Sequence, residues 1–281
     1  MAKLFIDVGG TYIRSELHTG KEVLYDTASS KLCSIFEYIQ QKMKQHSSID
    51  FIGISYAGQI YNGRILSAPN IAQEDSDLQN KLESIYNIKV EIENDLNCAA
   101  MAEAEFFKTD NIALLFAGTG LGAAYIENMK LIRGSKNLSF EIGHIPYKTA
   151  PFQCGCGRSN CIELFASGSG MAKWLKHFGS ECDIELNKLK NSAKGYEMGV
   201  AKEFEEAFLH AAGSLVTMTN PKLLLIGGGI VTSNPYLLDM LKNNIEKFAL
   251  NYSLIDLDIK ISVLKNASLQ GTKLLQERKY G

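Results

Sequence analysis

The chain has 281 residues, Lys+Arg of 29 against Asp+Glu of 31, a formal net charge of -2 and 46% hydrophobic residues. That size fits one large domain or two ordinary ones, and the composition is that of a globular protein. The near-neutral balance gives no sign of a polyanion-binding surface or a disordered tail, and apolar runs such as Ile112–Ala117 fall well short of the ~18 residues of a membrane span.

In chain order, Lys3–Val8 predicts a strand running into Gly9-Gly10-Thr11, followed by strands over Tyr12–Thr19 and Glu22–Thr27 about a turn at Gly20. Leu32–His46 has helical spacing, with Ile35, Phe36, Ile39 and Met43 on one side. Strands follow at Phe51–Tyr56 and Val90–Glu93, then a helix over Leu96–Phe107. A second round begins with a strand at Ile112–Ala117 that ends in Gly118-Thr119-Gly120, with strands at Ala123–Glu127 and Lys130–Ile132 pairing around Asn128-Met129. A long helix over Ala201–Asn220 is closed by Pro221, and a strand at Leu223–Ile226 feeds Gly227-Gly228-Gly229. A helix at Pro235–Phe248, a strand at Leu257–Leu264 and a last helix over Ser268–Arg278 complete the pattern. The two strand–glycine turn–strand units form a weak internal duplication. Two similar α/β halves facing each other would make a cleft, the usual place for a ligand.

Four groups of residues carry chemistry. Asp7-Val8-Gly9-Gly10-Thr11 joins an acid to a turn whose backbone N–H groups can approach phosphate oxygens, and Asp7 could hold Mg2+ through water. Spacing alone leaves an ordinary hairpin turn open. Gly118-Thr119-Gly120-Leu121-Gly122 is a second such turn. Two at equivalent points of two half-repeats suggest a nucleoside triphosphate, with Gly227, Gly228 and Gly229 under its adenine or ribose; a plain strand-to-helix turn is the other reading there. Glu93-Asn94-Asp95 ends a strand and opens a helix, so Asn94 or Asp95 is a natural N-cap, and Asp95 is also placed as a general base. Asn70, in Ser67-Ala68-Pro69-Asn70, either binds a sugar hydroxyl or stabilises its own turn.

The fourth group is Cys154-Gly155-Cys156-Gly157-Arg158-Ser159-Asn160-Cys161 with His144 upstream. Three thiolates and one imidazole satisfy tetrahedral Zn2+ and leave no open position, so the metal is expected to be structural. Glu141 and Glu163 bracket the cluster, free to accept hydroxyl hydrogen bonds or simply solvated. His144 can meet metal through one ring nitrogen and ligand through the other. Cys33, Cys98 and Cys182 are scattered singly, and no signal peptide is read, which fits reduced thiols in a cytoplasmic protein.

Taken together these segments resemble the ROK family of repressors, open reading frames and sugar kinases, over nearly the whole chain and in order. Asp7 to Thr11 matches its first phosphate motif, Glu93-Asn94-Asp95 its catalytic segment, Gly118 to Gly122 its second phosphate motif, and Glu141-Ile142-Gly143-His144 with Cys154 to Glu163 its zinc signature. The resemblance implies an actin-like ATPase (ribonuclease H-like) α/β fold, with one domain over 1–108 plus 266–281 and a larger one over 109–265 bearing the zinc loop. It implies ATP-dependent phosphorylation of a hexose, most often glucose at its 6-hydroxyl, with Asp95 as base, and sugar contacts on Asn70, Asn94, Asp95, Glu141, His144 and Glu163. An N-acetylmannosamine or N-acetylglucosamine kinase is the alternative. A non-catalytic sugar sensor is more remote, because the first phosphate strand begins at Lys3 with no room before it for a helix-turn-helix. A small-molecule sugar partner and a homodimer are expected, without nucleic acid or membrane. Asn160 replaces a usual glycine, where asparagine tolerates left-handed backbone. Ser139-Phe140 replaces a common Ala-Gly, and Ser55-Tyr56-Ala57-Gly58 lacks the usual proline; both bear on the sugar pocket.

Overall fold

The structure is a computed structural model describing residues 1–68, 71, 75–277 and 280. The chain forms two compact units: 1–110 with 128–139 and 264–281, and 111–127 with 140–263.

In the first unit, β1 (Ala2–Val8), β2 (Tyr12–His18) and β3 (Val23–Ser29) form an antiparallel meander. After α1 (Ile35–Gln45), β4 (Ile49–Tyr56) returns parallel to β1. A small hairpin of β5 (Gln59–Tyr61) and β6 (Arg64–Ser67), then α2 (Leu78–Tyr86), lead to β7 (Lys89–Asn94), parallel to β4. The sheet order is β3-β2-β1-β4-β7. Leu4, Ile6, Ile52, Ile54 and Val90 are buried along the central strands, as near-continuous apolar runs in parallel strands require. Helix α3 (Asp95–Phe107) starts directly at the end of β7.

The second sheet repeats this plan. β8 (Asn111–Ala117) and β9 (Leu121–Glu127) are antiparallel, and β10 (Lys130–Leu131) follows. Helices α4 (Gly168–His177), α5 (Leu186–Lys190) and α6 (Gly195–Thr219) precede β11 (Leu223–Gly227), which runs parallel to β8. Then come α7 (Gly229–Ser233), α8 (Tyr236–Asn244) and β12 (Asp258–Ile261), parallel to β11. The order β10-β9-β8-β11-β12 matches the first sheet strand for strand. The last helix, α9 (Ala267–Thr272), packs on α3, β1 and β4 of the first unit. It lies so close that a Cβ on Gly271 would run into the Cys98 carbonyl of α3, and one on Gly53 would sit 2.8 Å from the Thr272 carbonyl oxygen.

Several boundaries differ from the sequence expectation. The long helix begins at Gly195, six residues earlier than its apolar face suggested, and stops where Asn220 adopts a left-handed cap. The expected helix over 268–278 keeps helical form only to Thr272 and continues as turns to 277. The expected 235–248 helix breaks after Asn244 into a 3-10 turn over Ile245–Lys247. The β5–β6 hairpin and helices α2, α4 and α5, none longer than ten residues, were not expected from the sequence.

Candidate functional site

In the first unit, the parallel register places Asp7, Ser55 and Glu93 in one row across β1, β4 and β7. The turn after β1 is closed by the Gly9 N–H donating to the Tyr12 carbonyl at 2.9 Å, leaving Gly10 partly open and Thr11 exposed. Asp7 is buried. Its carboxylate accepts from Ser55 Oγ at 2.9 Å and lies 3.6 Å from Arg14 Nη1. Burial pushes its pKa up, against the opposing pull of Ser55 and Arg14.

Asn94 caps α3. Its Oδ1 accepts from the Leu96 and Asn97 N–H groups at 2.9 and 3.1 Å, and its Nδ2 donates to the Gly58 carbonyl and to Asp95 Oδ1 at 2.9 and 3.1 Å. The amide is thereby committed in full, and it holds Asp95. Asp95 Oδ1 also accepts from the Leu96 N–H at 3.0 Å. Burial, with the Asp7 carboxylate adding to it, pushes the Asp95 pKa up to about 7. Asn70 lies outside the described residues.

Glu93 is an organising residue that sequence reasoning passed over. Its buried carboxylate accepts from Arg133 Nε at 2.9 Å, Asn97 Nδ2 at 3.0 Å and Asn137 Nδ2 at 2.8 Å. Asn137 also donates to the Ile60 carbonyl at 2.8 Å. These bonds fix the 128–139 segment to the end of β7. No local pattern could reveal the bonds from Arg133 and Asn137, because those partners stand some forty residues from Glu93. Tyr61, Gln79, Glu91, Glu93, Arg133 and Asn137 line an open polar cavity of about 490 Å³ here.

In the second unit, the Gly118 N–H donates to the Gly120 carbonyl at 2.9 Å, and the first residues of α4 hold the turn from behind. The Gly168 N–H donates to the Gly118 carbonyl at 2.8 Å, and the Ser169 N–H to the Thr119 carbonyl at 3.0 Å. The turn after β11 converges on the same place, since a Cβ on Gly118 would lie 3.8 Å from the Gly229 nitrogen. Gly228 has φ +88° and lies against the Ala117 carbonyl, so a side chain is excluded there both by conformation and by space. Gly227 is buried and Gly229 exposed. Beside them is a cavity of about 430 Å³ lined by Gly229, Ile230, Asn234, Met171, Glu185 and Asn187, among others. Its wall of Met171 and Ile184–Asn187 was not anticipated from the sequence.

The metal-ligand set is brought together. His144, Cys154, Cys156 and Cys161 present ligand atoms all within 4.8 Å of one another, with Cys156 and Cys161 Sγ at 3.3 Å and Cys154 Sγ to His144 Nδ1 at 3.6 Å. A tetrahedral Zn2+ with ~2.3 Å bonds to sulfur has ligand–ligand edges of about 3.8 Å, so the set fits that ion. The loop folds through Cys154 N–H to the Arg158 carbonyl at 2.8 Å, and Arg158 Nη2 donates to the His144 carbonyl at 2.6 Å. Asn160 is not among the residues of positive φ; its carbonyl accepts from the Tyr147 N–H at 2.8 Å, so the substitution needs no left-handed backbone. With Nδ1 toward the thiolates, His144 turns Nε2 outward, 3.9 Å from the exposed Glu141 carboxylate. Glu163 sits differently from Glu141. Its Oε2 accepts from the Leu121 N–H at 3.0 Å and its Oε1 is 3.5 Å from Cys154 Sγ.

Phe140 does have a left-handed backbone, φ +61°, a conformation that a bulky side chain adopts only under compensation. Its ring meets Tyr125 edge-on at 5.5 Å, and the Tyr125 hydroxyl donates to the Thr219 carbonyl at 2.9 Å.

The family model described as "ROK family" matches residues 3–279. A glucokinase of Halalkalibacterium halodurans is 27% identical, over 93% of this chain and 90% of that one. An N-acetyl-D-glucosamine kinase of Yersinia enterocolitica is 31% identical over 64% of each. The crystal structure of a ROK family glucokinase from Streptomyces griseus, in complex with glucose and AMPPNP, superimposes with a TM-score of 0.76 at 21% identity, covering 99% of this chain and 100% of that one. Repressors are relatives as well: the xylose repressor of Bacillus subtilis is 28% identical over 75% of this chain and 56% of its own length. Among the described residues no helix is long and apolar enough to cross a membrane. With the family model matching nearly its whole length, this chain belongs to the ROK family and has its actin-like ATPase fold.

Proposed function

We propose that this protein is an ATP-dependent hexose kinase that phosphorylates glucose at the 6-hydroxyl, with Asp95 as general base. The observation that carries the reading is Asp95 itself. Asn94 and the Leu96 N–H orient it, and its pKa is pushed up to about 7, where a base is most effective near neutral pH. Its carboxylate takes the proton of the attacking hydroxyl as the new oxygen–phosphorus bond forms and the β–γ bridging bond breaks, releasing ADP. The transition state of phosphoryl transfer is loose, so positioning and charge neutralisation contribute more than proton removal. The first unit offers Gly9, Gly10 and Thr11 to phosphate. The second offers Gly118, Thr119 and Gly120 to phosphate and Gly227, Gly228 and Gly229 with the adjoining cavity to the nucleoside.

Mg2+ fits Asp7, a hard oxygen donor at the end of β1 beside the glycine turn. When bound it would neutralise phosphate charge. Structural Zn2+ held by His144, Cys154, Cys156 and Cys161 would stiffen the loop that carries Glu141 and His144. Sugar contacts are assigned to Asp95, Glu141, His144 and Glu163, with Asn94 and Asn70 completing the set. The fully bonded Asn94 then acts mainly by holding Asp95. Boundaries near 108 and 265, a homodimer and a cytoplasmic location belong to the same proposal.

The N-acetyl-D-glucosamine kinase relative keeps N-acetylglucosamine and N-acetylmannosamine as alternative substrates. The repressor relatives keep a sugar sensor without catalysis as a third reading. A coupled ADP-release assay over glucose, mannose, fructose, allose and the N-acetylated sugars tests all three. One sugar should give a clear winner, and Asp95→Asn should lower its kcat by two orders of magnitude or more. No turnover with any sugar, or near-wild-type turnover in that variant, would count against the assignment.

A further inference from the structure

We infer that Glu163 is a positioning residue for the nucleotide turn at 118–122, tying it to the Cys/His loop, so that nucleotide affinity depends on Glu163 in the absence of sugar. This rests on the proposed nucleotide site of the second unit. Glu163 follows Cys161 on the 3-10 turn Ile162–Leu164, so a metal held by Cys161 would fix its main chain. From there it reaches the glycine turn by two routes. The side chain accepts from the buried Leu121 N–H at 3.0 Å, a charge-assisted bond across forty-two residues of sequence. The main chain acts through Ser167. The Glu163 carbonyl accepts from Ser167 Oγ at 2.7 Å, and Ser167 Oγ accepts from the Gly170 N–H at 3.0 Å, capping α4. The next two residues, Gly168 and Ser169, hold the Gly118 and Thr119 carbonyls.

The fit around the carboxylate is close. A Cβ on Gly120 would stand 2.8 Å from Glu163 Oε2, and one on Gly143 3.3 Å from the same oxygen. Gly120 thus leaves room for the carboxylate, and Gly143, whose Cβ would first meet the Leu121 carbonyl, brings its own segment against the same turn. The other oxygen faces Cys154 Sγ at 3.5 Å, so the group spans from the metal loop to the turn. The Glu141 carboxylate, by contrast, is exposed.

The test is a titration with a fluorescent N-methylanthraniloyl-ATP in the absence of sugar, with zinc content measured alongside. Glu163→Ala should raise the dissociation constant roughly tenfold, equivalent to about 1.4 kcal/mol, with zinc retained. Glu163→Gln keeps an oxygen that accepts from Leu121, and should bind nucleotide within about twofold of wild type. If Glu163→Ala bound nucleotide like wild type and raised only the sugar KM, the inference would be wrong. Gly120→Ala pushes a methyl against Oε2 from the other side and covers the case in which Glu163→Ala misfolds. It should weaken nucleotide binding, and Glu163→Gln should not relieve the effect, because the crowded atom is retained; relief by that swap would overturn the steric link. A wild-type protein that bound no nucleotide would sink the kinase reading first and this inference with it.

Discussion

Asp95→Asn should make the ligand-free protein more stable at pH 8 while removing its catalysis. The carboxyl titrates at about 7 in the folded protein against an ordinary value of 3.8. The folded state therefore binds the proton more tightly than the unfolded chain does. Below pH 4 both states are protonated and ionisation costs nothing. As pH rises from about 4 to about 7 the unfolded chain ionises first, and wild-type stability falls; above about 7 the loss is complete. The full difference corresponds to an upper bound of about 4 kcal/mol, and water reaching this half-buried site leaves an expected ~1–3 kcal/mol. Asparagine keeps an Oδ1 able to accept from Asn94 and Leu96 and carries no charge for Asp7 to repel. Urea melts followed by far-UV circular dichroism at pH 4, 6 and 8 measure the gap between variant and wild type. Fluorescence of the single tryptophan, Trp174, reports separately on the second unit. The gap should be near zero at pH 4 and widest at pH 8. Equal stabilities at pH 8, or a gap that widened toward acid, would refute the electrostatic account of this carboxyl. In the wild type, kcat/KM should fall as pH drops through about 7, as a base that must be ionised requires.

Gly271→Ala forces a methyl into the Cys98 carbonyl and should destabilise the first unit by about 1–3 kcal/mol, visible in the same melts; a neutral result would mean α9 is not docked as described. Cys161→Ser should abolish zinc retention on mass-spectrometric or metal analysis and raise the sugar KM. A metal-free protein with full sugar affinity would remove the supporting role given to the loop. Phe140→Gly relieves a left-handed backbone worth about 1–2 kcal/mol but loses the contact with Tyr125, worth about 0.5–1.5 kcal/mol plus some burial, so stability should change little. The same variant should alter the ranking of glucose against the N-acetylated sugars in the ADP-release panel, and an unchanged ranking would free Phe140 of any part in selectivity.

The features legible in the sequence were those written in local chemistry. A buried strand ending in glycines announces a backbone turn, and closely spaced thiols with an imidazole announce a metal site, because each needs only short-range geometry. The repeated strand order of the two sheets follows from the same local units. What the sequence concealed depends on partners far along the chain. Arg133 and Asn137 meet Glu93 across some forty residues, so the 128–139 segment groups with the first unit although it lies between strands of the second round. Glu163 reads as a free acid until Leu121 is found against it. Asn94 and Asp95 both read as caps; only the hydrogen bonds show that Asn94 takes the cap and thereby releases Asp95 for another task.

That division between Asn94 and Asp95 explains why the Asp95 carboxyl is costly to the first unit. A capping aspartate would be held ionised by the helix N–H groups, with its pKa drawn down. Here the neutral amide satisfies the Leu96 and Asn97 N–H groups, and Asp95 accepts from the shared Leu96 N–H and from Asn94 Nδ2 while standing under the influence of Asp7. Exchanging the two roles would stabilise the apo protein and spoil the base. Asn94→Ala should therefore act in two ways: α3 loses its cap, costing about 1 kcal/mol, and Asp95 inherits the free N–H groups. Loss of the Asn94 Nδ2 bond lets the Asp95 pKa rise, while the main-chain N–H groups draw it down; with the main-chain donors prevailing, the acid limb of the kcat/KM profile should move to lower pH while kcat itself falls through lost orientation. A variant that lost activity with the acid limb unmoved would show that Asn94 acts only as a cap, and that Asp95 owes its raised pKa to burial and Asp7 alone.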